Sequence, residues 1–152
     1  MAASVSGVSI ADLLSVMGQD LRLKIGVLEG ATHITEGKNA KAIPVAEYAM
    51  YNEFGTQKIP SRPFLRFSLD TFGQDAWLPE LADLLREGVA PEVALNRVGL
   101  QAQADIRRVI EEWASPPNAP STIKRKRSKR DNPLVDSGDL LDAIDYHVGG
   151  AD

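Results

Sequence analysis

The chain contains no cysteine among its 152 residues, and only 6% of them are aromatic. The missing thiols exclude disulfide bonds, a cysteine nucleophile and cysteine metal ligands. No apolar run approaches the roughly 18 residues that predict a membrane span. The N-terminal segment has no basic region before its apolar stretch, so we expect no signal peptide. These absences favour a protein that is made in a reducing cytoplasm and has no membrane anchor.

Histidine is equally scarce, and the two that occur, His33 and His147, are far apart. Neither has the spacing of an HExxH zinc site, and the sequence has no glycine-rich phosphate loop and no GxSxG turn. Glu36 and Lys38 form a Glu-x-Lys pair, as in some metal-dependent nucleases, but they lie in a glycine-rich loop. We therefore expect no enzymatic activity, no metal and no cofactor, and a nuclease built on this pair is kept as an alternative.

The sequence does contain enough apolar residues, 43%, to build the core of one domain spanning residues 1–152. Alternation of apolar with polar or small residues predicts strands at 22–27 and 146–148. A long apolar stripe with helical spacing predicts a helix over 91–114. Strands at both ends of the chain predict the α+β class, with a small antiparallel sheet packed against one long and several short helices.

The shorter helices are predicted from apolar spacing and from the proline or glycine at their ends. Residues 29–41 are expected to form a loop or a loose hairpin, because glycine and polar residues dominate there. The segment 136–139, which reads Asp-Ser-Gly-Asp, is expected to cap the last helix. The predicted short helices cover residues 10–17, 44–54, 64–72, 78–85 and 140–144. At 64–72 a strand is the alternative, because Leu65, Phe67 and Leu69 alternate with other residues, whereas Pro63 favours the start of a helix.

Six cations with no acid among them lie within seven positions near the end of the chain. The whole chain has a formal charge of −4, so the remainder without these six stands at −10. The surrounding segment, 116–133, is bounded by prolines and poor in large apolar residues, so we expect a mobile basic loop or extended arm. The six cations are Lys124, Arg125, Lys126, Arg127, Lys129 and Arg130.

Three roles are open for this basic arm. It can dock on the acidic body of a neighbouring subunit, or remain a solvated loop. It can also contact DNA phosphates, since each cation that neutralises a phosphate releases counterions. Base stacking is not expected, because no aromatic residue is interleaved with the cations.

Four segments carry the most specific pattern of the sequence. They read VAEYAMYNEFGT over 45–56, IPSRPFLR over 59–66, PPNAPSTI over 116–123 and PLVDSGDLLDAI over 133–144. In this order they resemble the small tail-completion or head-to-tail joining proteins of long-tailed bacteriophages. The last segment has Ser137 where the family usually has threonine and Ala143 where it usually has serine.

The resemblance, which covers roughly residues 24–148, implies a structural virion protein that completes the tail and connects it to the head. It implies a homo-oligomeric ring, expected to be six- or twelve-fold, in the tail or neck of a virion assembled in a bacterial host. Its partners would be tail-tube and head-connector proteins, and genome DNA would pass nearby without specific binding. The alternative is a nucleic-acid-binding module that uses the basic arm.

The turn at residues 59–63 supplies further interface candidates. Its two prolines stiffen a segment that carries Phe64 between Arg62 and Arg66, and an aromatic side chain beside arginines is typical of interface hot spots. These three residues and the six cations of the basic arm are the candidate subunit interface. The alternative is that Phe64 belongs to the core. The segment 53–55 is expected to be a packed helix end.

Overall fold

The computed structural model describes residues 4–5, 8–9, 20–28, 30–34, 41–126 and 131–150. The strands of this part of the chain form three antiparallel pairs. Two pairs are short, and the third joins the two longest strands from opposite ends of the chain. The pairs are β1 (Ser4–Val5) with β2 (Val8–Ser9), β3 (Leu21–Val27) with β6 (Ile144–Gly150), and β4 (Thr32–Ile34) with β5 (Ala42–Pro44).

The β3–β6 pair confirms both strands that the alternating pattern predicted. Leu23 lies opposite Val148 and Ile25 lies opposite Tyr146 along an unbroken register. The β4–β5 pair confirms the loose hairpin, although its connection at 35–40 lies outside the described residues.

The predicted helices from residue 44 onward are confirmed, with small shifts at their ends. The segment expected as a helix over 64–72 begins in α-form and continues in the wider π-form, which runs directly into the next helix. The predicted helix at 10–17 lies outside the described residues. The helices are α1 (Val45–Phe54), α2 (Phe64–Ser68), a π-helical stretch (Leu69–Trp77), α3 (Leu78–Arg86), α4 (Pro91–Glu112), α5 (Pro120–Arg125) and α6 (Asp139–Ala143).

Helix α4 packs across the β3–β6 pair, as the α+β prediction required. Gln103 donates to the carbonyl of Ile144 at 2.8 Å, and Arg107 donates to the carbonyls of Leu141 at 3.1 Å and Ile144 at 3.0 Å. These bonds fix the start of β6 on the helix. The core lies between α4, the sheet and the shorter helices, where Phe64, Ile106, Ile110, Leu134 and Ile144 are almost fully buried.

One prediction about the C-terminal third is wrong and another is confirmed in position. The segment 116–133 was expected to be mobile or extended, but residues 120–125 form α5 and Lys126 is buried. Helix α6 begins within the predicted cap segment 136–139, at the N-cap residue Gly138, whose φ of 98° is left-handed and which supplies no side-chain cap. The carbonyl of Gly138 accepts from the backbone of Asp142 at 3.0 Å, which begins the helix.

None of the helices in the described ranges combines the length and the apolar composition needed to cross a membrane.

Gly99 sets how closely α4 approaches the sheet. A Cβ atom built at this position would lie 2.4 Å from the ring of Tyr146. We expect Gly99→Ala to lower the free energy of unfolding, because overpacking costs about 1–3 kcal/mol and outweighs the roughly 1 kcal/mol that alanine gains in a helix. Urea unfolding of the purified variant measures the change.

The matched control is Gly73→Ala, since a Cβ at that helical glycine would have nothing within 4 Å. This control should be neutral or stabilising. In a chain that already carries Tyr146→Ala, adding Gly99→Ala should no longer lower the free energy of unfolding, because the ring that the new Cβ would approach is absent. Equal effects of the two glycine substitutions would contradict the close packing of α4 on Tyr146.

Candidate functional site

The end of α1 is tied to the start of α2 by one buried carboxylate. Glu53 is 7% exposed and accepts from the backbone N–H groups of Leu65 at 2.9 Å and Arg66 at 3.0 Å. These amides belong to the first turn of α2 and have no partner within that helix. A carboxylate is also stabilised by the positive end of the helix dipole. Glu53 therefore acts as a helix cap delivered from a neighbouring helix.

The chain between these two helices makes a tight turn. Gly55 has a φ of 75°, and a Cβ there would lie 2.8 Å from the backbone nitrogen of Ser61. The Ser61 hydroxyl donates to the carbonyl of Glu53 at 2.7 Å, and the backbone of Thr56 donates to the carbonyl of Ile59 at 2.8 Å. Glycine is required at this position by both the left-handed conformation and the close approach.

Arg62 joins this turn to the segment after α4. It is 5% exposed, and its guanidinium donates to the carbonyls of Pro116 and Pro117, both at 2.9 Å. A third, longer contact of 3.4 Å reaches the side-chain oxygen of Asn52. Burial lowers the pKa of Arg62, but an arginine remains charged in proteins. The turn therefore encloses a cation that donates to three neutral oxygen atoms.

Asn132 joins the end of α4 to the turn that follows it at residues 132–135. Its side-chain nitrogen donates to the carbonyls of Ile110 at 2.8 Å and Glu111 at 2.7 Å, which end α4. Its side-chain oxygen accepts from the backbone of Leu134 at 2.7 Å and Val135 at 2.9 Å. One buried amide thus satisfies the last carbonyls of the long helix and fixes the following turn.

Lys126, which belongs to the basic segment, also donates hydrogen bonds to this turn. It is 7% exposed, and its ammonium donates to the carbonyl of Asn132 at 2.6 Å and to that of Val135. Burial lowers the pKa of Lys126, and Arg62 lowers it further, whereas Asp136 opposes both effects. Lys126 therefore anchors the basic segment inside the fold, although it was expected to be exposed.

The four motif segments therefore meet in one hydrogen-bonded cluster, here called the motif cluster. Asn52 and Glu53 come from the first segment, Arg62 from the second and the two prolines from the third. The fourth segment enters through Leu134 and Val135, beside Asn132. Asn118 of the third segment donates to the carbonyl of Asn132 at 3.1 Å, which joins the hydrogen bonds around Arg62 to those around Asn132. Asn52 and Val135, 83 positions apart in sequence, are thereby held in neighbouring parts of the cluster.

The structure corrects part of the predicted interface. Phe64 is fully buried in the core, and the donors of Arg62 are used within the chain, so neither lies at a free surface. Lys126 is buried for the same reason. The remaining described candidates, Arg66, Lys124 and Arg125, are exposed. Arg127, Lys129 and Arg130 lie outside the described residues.

Helix α1 has an apolar outer face that the sequence interpretation missed. Met50, Tyr51 and Phe54 are 59%, 39% and 64% exposed, although the end of this helix was expected to be packed. With Glu47 they occupy positions i, i+3, i+4 and i+7, which is one side of a helix. The opposite side buries the polar Asn52 and Glu53 together with the apolar Val45 and Ala49. This outer face is called the α1 stripe below.

A second exposed apolar feature is a groove between the π-helical stretch and the end of α4, with a volume of about 410 Å³. Phe67 and Trp113 meet edge to face across it, with ring centres 5.7 Å apart. Arg108 lies 5.3 Å from the centre of the Phe72 ring and is paired with the buried Asp105 at 2.8 Å. Among the described residues, none accepts a hydrogen bond from the buried indole nitrogen of Trp113.

Within the described ranges, no group of three or more histidine, aspartate or glutamate residues could hold a metal ion. His147 is exposed on β6, and Glu36 and Lys38 lie outside the described residues. Comparisons with protein-family models, curated proteins and solved structures found no match to this chain.

Comparing Arg62 with the exposed Arg66 tests whether Arg62 stabilises the fold or acts at the surface. We expect Arg62→Met to lower the free energy of unfolding by about 2–4 kcal/mol, because buried carbonyls lose a charged donor. Arg66→Met should change stability by less than about 0.5 kcal/mol, since the Arg66 side chain is exposed. Chemical unfolding of both variants tests this.

Arg62→Lys should recover only part of the loss, because a single ammonium cannot match the planar fork of a guanidinium. If Arg62→Met and Arg66→Met were equally stable, the motif cluster would not depend on the buried guanidinium.

Lys126 should make stability depend on alkaline pH. Lys126 carries a proton in both the folded and the unfolded chain when the pH lies well below both of its pKa values. As the pH rises toward the ordinary lysine value of 10.5, the folded chain loses this proton first, because burial lowers the pKa of Lys126. The unfolded chain then binds more protons, so the free energy of unfolding rises with pH in this window.

The measurement compares wild type with Lys126→Met from neutral pH up to just below the ordinary tyrosine pKa. The stability difference should grow in favour of the wild type as pH rises. Lys124→Met is the control and should keep the wild-type slope, since that side chain is exposed. A difference that stays constant with pH would rule out a buried, titrating Lys126.

Proposed function

We propose that this chain is a structural protein of a tailed-phage virion that forms a ring at the head-to-tail joint or at the upper end of the tail. The observation that carries the proposal is the motif cluster. The segments on which the resemblance to tail-completion and head-to-tail joining proteins rests are the segments that hold one another in the fold. This supports treating the four matches as one structural pattern rather than as four separate short ones.

The surface of the chain supports a role in assembly. The α1 stripe and the groove expose large apolar side chains that the subunit itself leaves uncovered. Contiguous apolar surface of this kind marks protein–protein contact sites. Identical subunits that meet through two different surfaces close a ring when the rotation per contact divides a full turn. We expect the described site to act by contact and positioning, without a chemical step.

The negative charge of the ring would affect how genome DNA passes through it. With the six basic-arm residues set aside, the chain stands at −10. A negative lumen would repel DNA phosphates and let the genome slide through without sticking. The exposed Lys124 and Arg125 on α5 would then face an acidic neighbouring subunit rather than the channel.

The experiment measures the mass of the purified full chain by light scattering over a concentration series, with electron micrographs of the same samples. It is repeated with tail tubes and head connectors from a long-tailed phage. We expect rings, either of the chain alone at high concentration or on addition of a tail or connector protein. The ring number is read directly from the images.

The DNA-binding alternative predicts a different outcome. A monomer that ignores tail and connector proteins but binds duplex DNA at low salt would contradict the ring proposal. That binding should weaken steeply with salt and fall in the double variant Lys124→Glu, Arg125→Glu. Burial of Lys126 already removes one cation from such a contact.

A further inference from the structure

The outer edge of strand β6 is closed along its first half. The carbonyl of Ile144 accepts from Gln103 and Arg107 of α4, at 2.8 Å and 3.0 Å. The amide of Tyr146 donates to the side chain of Asp145 at 2.8 Å. In an antiparallel pair, both backbone groups of a residue point to the same side, and successive residues alternate. Since these partners lie outside β3, the even-numbered residues of β6 point their backbone groups away from β3.

The second half of the same edge is open. Among the described residues, none bonds to the carbonyl of Tyr146, to either backbone group of Val148 or to the amide of Gly150. This half therefore presents two donors and two acceptors. Natural edge strands are commonly guarded by lysine or proline. The sequence of this half, Tyr-His-Val-Gly-Gly, contains neither.

An exposed leucine lies beside the open half. Gln103 and Arg107 reach the β6 edge from one side of α4, and Leu100, one and two turns before them, is on the same side. The preceding residue, Gly99, approaches the ring of Tyr146, which places Leu100 close to the start of the open half. Its side chain is 60% exposed. A strand laid along this edge would cover it.

The open backbone groups are self-complementary about Val148. In antiparallel pairing with β6 of a second copy, the two Val148 residues exchange both of their hydrogen bonds. The carbonyl of Tyr146 in each copy then accepts from the amide of Gly150 in the other. Both open donors and both open acceptors of each copy are used. The amide of Tyr146, which Asp145 already satisfies, ends the pairing.

Charge disfavours the other pairings of these two strand edges. A symmetric contact at the middle of β3 would put the exposed Lys24 opposite Lys24 of the second copy, and like charges directly opposite are destabilising. Pairing β6 with β3 of the second copy, in the register of the intrachain pair, would place a second lysine beside His147. That histidine already lies opposite Lys24 of its own chain. In the symmetric β6 contact, His147 lies opposite Gly149 instead.

We propose that residues 146–150 of β6 pair antiparallel with the same segment of a second copy, centred on Val148, and so join the two sheets in the order β3–β6–β6–β3. The occupant is a second copy because the open donors and acceptors match their own arrangement and no like charges meet. This two-fold contact goes beyond the proposed ring, which closes through two different surfaces.

Exchange of individual amide hydrogens, followed by NMR on the wild-type full chain at low and high concentration, tests the contact. We expect exchange at Val148 and Gly150 to slow at least tenfold at the higher concentration, because these amides gain acceptors in the dimer. Leu23 and Ile25 are the control amides, since they point out of the β3 edge, and their rates should not change. Rates at Val148 and Gly150 that stay the same up to millimolar concentration overturn the contact.

A proline at the centre of the contact tests it by removing one donor. Val148→Pro leaves the bonds to β3 in place, and proline is tolerated where the lost N–H faces away from the sheet. We expect this variant to raise the concentration for half-dimerisation at least tenfold, as measured by light scattering. Leu23→Pro is the matched control, because Leu23 lies opposite Val148 and its amide points to the other edge. Equal dimerisation of the two variants contradicts the proposal.

A chain without cysteine allows the symmetry of the contact to be measured without a proline. Val148→Cys should form a disulfide with its own copy, because hydrogen-bonded antiparallel partners have Cα atoms about 5.5 Å apart, within disulfide range. Leu23→Cys, made in a separate chain with a tag of different mass, should not. Mixed 148–23 links in preference to 148–148 links overturn the two-fold contact, because they indicate pairing of β6 with β3.

The outcomes separate this contact from the proposed function. Rings that bind tail or connector proteins in a chain with neither the 148–148 link nor protected Val148 and Gly150 amides overturn the contact and leave the virion role intact. The 148–148 link in a chain that never binds tail or connector proteins leaves the contact intact and overturns the virion role.

Discussion

The fold around the motif cluster depends on the burial of one guanidinium. Removing an arginine from water is costly unless oxygen atoms replace its hydration. Arg62 obtains them from the carbonyls of Pro116 and Pro117 and from the side chain of Asn52. Neither proline carbonyl belongs to a regular helix or strand, so their orientation is fixed by the contact itself. The turn after α1 and the segment after α4 are consequently ordered together.

The same principle extends to the basic segment. The carbonyls at the end of α4 need donors, and Asn132 provides two of them from its side chain. The backbone oxygen of Asn132 in turn accepts from Lys126. Each buried polar group thus obtains its partner from the next segment along the network. A basic segment that composition describes as solvated is therefore anchored at Lys126, with Lys124 and Arg125 exposed on α5.

The sequence predicts the elements well where a periodic apolar pattern decides the structure. Strand β3 follows from alternation of Leu23, Ile25 and Val27, and α4 follows from a long stripe bounded by prolines. The sequence could not predict the partners of Arg62. An arginine beside an aromatic residue has the same local pattern whether its donors meet water, another subunit or two carbonyls more than fifty residues away. Only the fold distinguishes these cases, and it places Arg62 inside.

The burial of Lys126 and the residue at which α6 begins both depend on geometry that local sequence does not contain. Composition averages over the basic segment, whereas the burial of one lysine depends on carbonyls that come from residues 132 and 135. At α6, the favourable capping residues are present in the sequence, but the left-handed Gly138 occupies the N-cap position. Side-chain type predicts that a helix begins nearby, and backbone geometry decides which residue begins it.

The orientation of α1 follows from the motif cluster. Asn52 and Glu53 must face inward, because one holds Arg62 and the other caps α2. In a helix of ten residues, two adjacent inward positions fix the rotation about the helix axis, and Met50, Tyr51 and Phe54 are then turned outward. Large apolar side chains that lie together on one exposed helix face are typical of protein–protein contact sites. The network that builds the subunit therefore also fixes the orientation of the surface through which we propose that it assembles.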